Sequence, residues 1–182
     1  MLKRLTLAIL IVAFPFILIQ ATAAGQGSGA ASEDVKTRPS KQEIIDLMTR
    51  MGRMPGQQQN SKLDQTWKDP SSGNTPRSDF MFCTGLAYLG NYKAQACVGN
   101  AYDKGRGVVE DPSEAYTWYA LALGNSKADK GVEQRLQEDK ERVKERLVSS
   151  YPAPTDDDLD DLVKALKSRI AQYQDEVKKG KK

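Results

Sequence analysis

The fold is decided by residues Ala94 to Ala128, which read AQACVGNAYDKGRGVVEDPSEAYTWYALALGNSKA. A helical pattern of small residues leads into the turn GRG at Gly105, and a second helical pattern with Trp-Tyr at its centre follows. Glycines supply the positive φ values that such a turn needs. The run DPSE from Asp111 is typical of a helix start with a capping box, because Asp accepts from free amides and Pro suits the first helical position. The stretch therefore predicts two helices joined by a tight turn.

This stretch resembles the Sel1-like repeat, a relative of the tetratricopeptide repeat, whose pattern runs roughly A-x-x-x-G-x-x-Y-x-x-G-x-G-V-x-x-D-x-x-x-A-x-x-W-Y. The leading alanine of that pattern falls on Gln95 here. The resemblance implies a helical hairpin that binds partners and does not catalyse a reaction. The matching positions and the closing glycine, all assigned structural roles, are Gly99, Tyr102, Gly105, Gly107, Val108, Asp111, Ala115, Trp118, Tyr119 and Gly124.

Repeat units are expected in series, because one unit cannot bury its own apolar face. The segment LGNYKA from Leu89 returns as LGNSKA from Leu123, a period of about 34 residues as in tetratricopeptide repeats. Residues 79–149 are therefore predicted to be a repeat region with one complete unit at 94–128. The predicted fold class is all-α: a short α/α solenoid of Sel1-like or tetratricopeptide-like hairpins. A C-terminal helix in 150–179 is expected to cap the open end, with dimerisation as the alternative role for its apolar stripe.

The N-terminus has the pattern of a secretory signal peptide at 1–23. Lys3 and Arg4 precede an apolar run, and Ala21-Thr22-Ala23 suits cleavage. A retained N-terminal anchor is the alternative interpretation, and Pro15 and the shortness of the run disfavour it. Removing the segment changes the formal net charge from +3 to +1, since it carries two basic residues and no acidic ones. We expect a secreted protein, periplasmic in a bacterium, with no membrane span after cleavage.

Three further segments separate the signal from the repeat region. Residues 24–39 are rich in Gly, Ser and Ala and predict a flexible leader. Residues 40–52 predict a short amphipathic helix with a capping box, which packs on the core or alternatively on a partner. Residues 53–78 are rich in Pro, Gly, Gln, Ser and Asn and predict a linker.

The two cysteines, Cys83 and Cys97, are expected to form a structural disulfide after export. The turn at Gly90 lies seven residues from each, which places them level on facing helices. In a reducing cytosol the same residues would instead be buried thiols.

The sequence disfavours catalysis and cofactors. It has no histidine, no G-x-S-x-G elbow and no phosphate-binding loop. The acidic run from Asp156 to Asp161 lacks the glycine and distant glutamate of a calcium loop, and helix capping accounts for it. No basic stripe with interleaved aromatic residues favours nucleic acid. We expect no enzyme activity, no metal and no cofactor.

The predicted function is that of a protein-binding adaptor or scaffold in the bacterial envelope, monomeric unless the last helix dimerises. Alternatives are a periplasmic regulator of an envelope sensor system, as some Sel1-like proteins are, and a structural subunit of a larger envelope complex. The candidate partner contacts are residues that the fold does not need: Tyr92, Lys104, Arg106, Glu110 and Tyr116.

Overall fold

The structure is a computed structural model, and it describes residues 37–68, 76–125, 130–150 and 152–180. The predicted signal peptide, the leader up to residue 36 and the last residues of the 94–128 unit lie outside these ranges. The described part is all-α, with no strand, and it falls within one compact unit. None of its helices has the length and apolarity to cross a membrane. The helices are α1 (Lys41–Met51), α2 (Gly56–Lys68), α3 (Pro76–Tyr88), α4 (Tyr92–Lys104), α5 (Pro112–Asn125), α6 (Lys130–Val148) and α7 (Asp156–Lys179).

Helix α1 begins with the predicted capping box. The Ser40 hydroxyl accepts from the Glu43 amide at 3.3 Å, and the Glu43 carboxylate accepts from the Ser40 amide at 2.7 Å. Its buried face, which includes Met48, packs on α3. Gly85 of α3 allows the approach, since a Cβ there would lie 3.1 Å from the Leu47 Cβ. The helix at 40–52 thus docks on the core.

The predicted linker at 53–78 is wrong over most of its described length. Helix α2 occupies Gly56–Lys68, and α3 already begins at Pro76. The Gln59 side-chain amide donates to the carbonyls of Met51 and Met54, both at 2.9 Å, and so ties the start of α2 to the end of α1. Burial of Leu63 then fixes α2 against the core. The polar composition of the segment gave no sign of this helix, because the burial of Leu63 follows from packing on the core.

Helices α3, α4 and α5 form the centre of the core. Asn91 caps α4 by accepting from the Ala94 amide at 3.1 Å. Gln95, where the repeat pattern has alanine, is buried. Its amide donates to the Ala87 carbonyl of α3 at 3.2 Å and accepts from Asn125 at the end of α5 at 3.0 Å. One polar side chain therefore links all three helices.

The turn from α4 to α5 depends on two glycines in the left-handed region. Gly105 ends α4 at φ 62°, and Gly107 follows at φ 70°. A Cβ on Gly107 would lie 2.3 Å from the Pro76 carbonyl oxygen at the start of α3. After the turn, the Asp111 amide donates to the Tyr102 carbonyl at 3.0 Å, and its carboxylate caps α5 by accepting from the Glu114 amide at 3.0 Å. The start of α5 is thereby fixed beside the end of α4.

Helix α7 packs on three other helices of the core. It contacts α5, α3 and α1 in turn. The Tyr173 ring stacks on Tyr88 of α3 at 5.5 Å between centroids, and the Gln174 amide donates to the Tyr88 carbonyl at 2.9 Å. Near its end, Glu176 pairs with Lys41 of α1 at 2.8 Å. The C-terminal helix, expected as a cap, therefore packs along α5, α3 and α1.

The structure joins Cys83 of α3 to Cys97 of α4 in a disulfide, with Cα atoms 6.1 Å apart. Cys83 is fully buried, and no free cysteine is found among the described residues. A bonded pair on facing helices agrees with the disulfide expected from the sequence.

Reduction of this disulfide is expected to lower the free energy of unfolding by about 3 kcal/mol, because the unfolded chain loses a closed loop of about 15 residues. Urea unfolding with and without reductant measures the change. The double variant Cys83→Ala/Cys97→Ala is the control and is expected not to respond to reductant. An unchanged midpoint for the reduced wild-type protein would contradict the expectation.

The Gly107→Ala variant is expected to lose about 2 to 4 kcal/mol of stability, since the new Cβ meets the Pro76 carbonyl and the positive φ strains any other residue. Gly124→Ala is the matched control. A Cβ at that helical position meets nothing within 4 Å, so it is expected to be neutral or to stabilise by up to about 1 kcal/mol. Equal urea midpoints for the two variants would show that neither the positive φ nor the Pro76 contact requires glycine at position 107.

Candidate functional site

The candidate partner contacts do not form one surface. Tyr92 begins α4 and Lys104 ends it, so they lie about 18 Å apart along the helix axis. Arg106, half-buried, lines a separate cavity of about 60 Å³ beside Pro76. Only Lys104, Arg106 and Glu110 share the turn between α4 and α5.

Tyr116 is wrong as a contact residue, because only 8% of it is exposed. Helices α6 and α7 cover α5 on that side. Burial raises the pKa of the Tyr116 hydroxyl, and the charges of Lys144 and Asp156 lie close enough to affect that pKa as well. The sequence offers Tyr116 as a residue that the fold does not need, yet a helix with neighbours on several sides buries more than one stripe of residues.

Lys104 and Glu110 are both held in an ion-pair network around Asp103. The Asp103 side chain is fully buried and accepts from Arg142 at 2.9 and 3.1 Å and from Arg146 at 2.7 Å. Lys104 lies 3.0 Å from the same carboxylate, and Arg146 also pairs with Glu110. The network joins α4 and the turn to α6, so these two candidate contacts already have structural partners.

A better candidate site lies between the start of α5, the middle of α7 and the segment before α1. One cavity of about 330 Å³ opens there, and a smaller one of about 70 Å³ lies deeper against α3 and α4. Both share the side chains of Arg38, Glu114 and Arg169 in their walls. Leu162, 40% exposed, stands at the mouth of the larger cavity. We call this region the α5–α7 groove.

Glu114 is the central charge of the α5–α7 groove, and its side chain is only 14% exposed. One carboxylate oxygen, Oε2, accepts from the Trp118 indole Nε1 at 3.1 Å, with Arg169 Nη2 at 3.5 Å. The other, Oε1, pairs with Arg38 Nη1 at 3.1 Å. Half of the expected capping box is therefore present. The Asp111 carboxylate accepts from the Glu114 amide, while the Glu114 carboxylate is turned into the groove.

Arg38 corrects the prediction that the whole of 24–39 is a flexible leader. Its guanidinium pairs with Asp111 and Glu114, and its Cζ lies 5.8 Å from the centroid of the Tyr102 ring. Arg77 fixes the same segment by donating to the Thr37 carbonyl at 2.6 Å. Burial alone would lower the pKa of Arg38, but the neighbouring carboxylates outweigh burial and raise it, so the residue stays charged.

Aromatic rings line the deeper cavity. Tyr88 packs edge to face on Trp118 with centroids 5.4 Å apart, and Tyr102 packs in the same way on Phe80 at 5.6 Å. Burial, with a smaller effect from Glu114, raises the pKa of Tyr102 to about 12, and burial also raises the pKa of Tyr88. Both phenols are therefore neutral at neutral pH. The wall combines apolar area with hydroxyl groups, as peptide-binding surfaces commonly do.

The charged groups of the groove are two guanidiniums, of Arg38 and Arg169, and the carboxylates that pair with them. Within the described ranges, no group of three His, Cys, Asp or Glu side chains is arranged to hold a metal ion.

Sequence reasoning missed three residues of this groove. Arg38 lies in a segment of leader composition, Glu114 has a sufficient local explanation as a capping residue, and Arg169 belongs to an ordinary charged helix face. Arg38 reaches Glu114 from the segment before α1, and the packing of α7 on α5 brings Arg169 to the same carboxylate. Comparisons of the chain with protein-family models, with curated proteins and with solved structures give no match.

The Asp103 network gives stability a defined pH dependence. Burial alone would raise the pKa of Asp103, but hydrogen bonds from Arg142 and Lys104 outweigh it and lower the pKa. A lowered folded-state pKa means that the stabilisation is complete above about pH 5 and is lost as the pH falls through the folded-state value. Asp103→Asn is therefore expected to cost about 1 to 3 kcal/mol at pH 7.

Urea unfolding at pH 7 and at pH 3 measures this, with Asp161→Asn as the control for an exposed carboxylate paired with Lys164. The difference in the free energy of unfolding between wild type and Asp103→Asn is expected to be smaller at pH 3 than at pH 7. An equal difference at both pH values would show that the ionised Asp103 network is not its source.

Proposed function

We propose that this chain is a non-catalytic protein-binding module of the bacterial envelope, built on a short Sel1-like stack of helical hairpins. The observation that carries the proposal is the α5–α7 groove, an open cavity of about 330 Å³ with charged residues and an apolar rim. Cavities of this size and mixed character are typical of sites that take one or two side chains of a partner.

The repeat-motif residues support the Sel1-like part of the proposal. Gly99 allows α4 to approach α5, since a Cβ there would lie 3.0 Å from the Tyr119 ring. Ala115, Trp118 and Tyr119 are buried at the centre of α5. The two glycines of positive φ in the α4–α5 turn and the cap from Asp111 are also compatible with such a hairpin.

The disulfide supports export, because bonded cysteines persist in oxidising compartments such as the periplasm. In such a compartment the module is expected to act as an adaptor. The two alternative roles, regulator of a sensor system and subunit of a larger complex, also require a partner-binding surface, and the identity of the partner distinguishes among the three.

Site-specific photo-crosslinking in the native cell tests this function. A photoreactive phenylalanine analogue is placed at Leu162 in the groove, at Val109 on the α4–α5 turn, or at Val148 at the end of α6. All three positions are exposed, with values of 40%, 63% and 45%. A distinct crosslinked product is expected from position 162 and none from position 148.

A product from position 109 alone would move the interface to the turn that carries Lys104 and Arg106. If the folded protein gave no product at any of the three positions, the proposed function would be contradicted.

A further inference from the structure

We propose that the α5–α7 groove recognises an arginine side chain of its partner, and that Arg38 of this chain is an internal ligand occupying that position. We call the binding position the arginine recess and define it by Tyr102, Asp111 and Glu114. The inference rests on the proposed binding function and adds the chemistry of the partner: an extended segment that carries an arginine.

The contacts of Arg38 show what the recess binds. Nη2 donates to Asp111, and Nη1 lies 3.1 Å from the Glu114 carboxylate, so two separate carboxylates hold one guanidinium. The Tyr102 ring lies near the guanidinium carbon at 5.8 Å. A planar fork with several donors satisfies both carboxylates and the ring at once, whereas the single ammonium of lysine is a point charge without this geometry.

The recess is held in shape by groups other than Arg38. Asp111 uses Oδ1 to cap α5 by accepting from the Glu114 amide, which leaves Oδ2 for the guanidinium. Glu114 uses Oε2 to accept from Trp118 Nε1, which leaves Oε1. In each carboxylate, one oxygen accepts a hydrogen bond that fixes the orientation of the group, and the other oxygen is available to bind a cation. Such an arrangement is pre-organised for a cation that arrives from elsewhere.

The segment that carries Arg38 is attached to the protein at few points. Thr37, Arg38 and Ser40 are exposed, and only Pro39 is half-buried. Besides the guanidinium contacts, the described residues 37–39 are held by the bond from Arg77 to the Thr37 carbonyl, and Pro39 lines the deeper cavity. Helix α1 begins at Lys41 and has its own capping box from Ser40, so residues 37–39 can leave the groove while α1 stays in place.

Departure of Arg38 leaves the recess acidic. Among the ion pairs of the described residues, Asp111 and Glu114 then keep the one from Arg169, which lies 3.5 Å from Glu114. A cationic side chain is favoured there and an anionic one is not. The neighbouring cavity, with Leu162, Ala165 and Leu166 in its wall, accommodates an apolar side chain next to the arginine. A partner must compete with an internal ligand whose effective concentration is on the order of millimolar.

The test uses the full-length mature protein and NMR, which detects weak binding. The reporter is the indole N–H signal of Trp118, because that group donates directly to Glu114. The probe is a capped peptide of sequence VKTRPS, which repeats residues 35–40 of this chain. Matched peptides carry lysine or uncharged citrulline in place of the arginine. The proteins are wild type, Arg38→Ala and Arg38→Ala/Glu114→Gln.

Arg38→Ala is expected to bind the arginine peptide about tenfold more tightly than wild type, because the internal competitor is gone. The lysine peptide is expected to bind about tenfold more weakly than the arginine peptide, and the citrulline peptide not to shift the signal. Glu114→Gln in the Arg38→Ala background is expected to weaken binding of the arginine peptide by about tenfold or more.

An unmoved Trp118 signal in folded Arg38→Ala protein would overturn the inference, as would equal shifts with the arginine and citrulline peptides. A shift caused by acetate instead would show that the groove binds anions through Arg169, which also overturns it. Arg38→Gln serves as a second variant if Arg38→Ala does not fold. If the peptides do not bind as expected but position 162 still gives a crosslinked product, the proposed binding function is retained and the partner is recognised through a group other than arginine.

Discussion

The structure depends on the turn between α4 and α5. Gly105 and Gly107 both have positive φ, and the Gly107 Cα lies so close to the Pro76 carbonyl that no side chain fits between them. The turn therefore presses the end of α4 against the start of α3 while it reverses the chain into α5. Val108, fully buried next to this contact, completes the packing. This contact, together with the Gln95 hydrogen bonds to Ala87 and Asn125, positions α5 relative to α3 and α4.

That placement creates the groove. With the chain reversed in this way, Asp111 lies beside the Tyr102 carbonyl and both caps α5 and presents a carboxylate oxygen outward. One turn along, Glu114 faces the aromatic wall and α7. Local backbone geometry, rather than any unusual residue, brings two carboxylates and a tyrosine ring to one place. The charge of the site is then balanced by guanidiniums that arrive from both ends of the described chain.

The sequence predicted the elements better than it predicted their assembly. The helices for which the sequence predicts capping boxes, α1 after Ser40 and α5 after Asp111, begin where those capping residues lie. Helix α2 is not predicted from its polar composition. The contacts that hold it, from Gln59 to the Met51 carbonyl and from Leu63 to the core, form only once α1 is in place. The groove was missed for a similar reason. Arg38, Glu114 and Arg169 each have a sufficient local explanation, and their meeting depends on long-range packing that periodicity does not encode.

A crystal structure of the protein bound to the partner captured from position 162 would show whether the arginine recess holds a partner side chain. We expect an extended partner segment between α5 and α7, with its arginine on Asp111 and Glu114 and with Arg38 displaced. A partner bound to the α4–α5 turn or to α6, with Arg38 still on Asp111 and Glu114, would contradict this expectation.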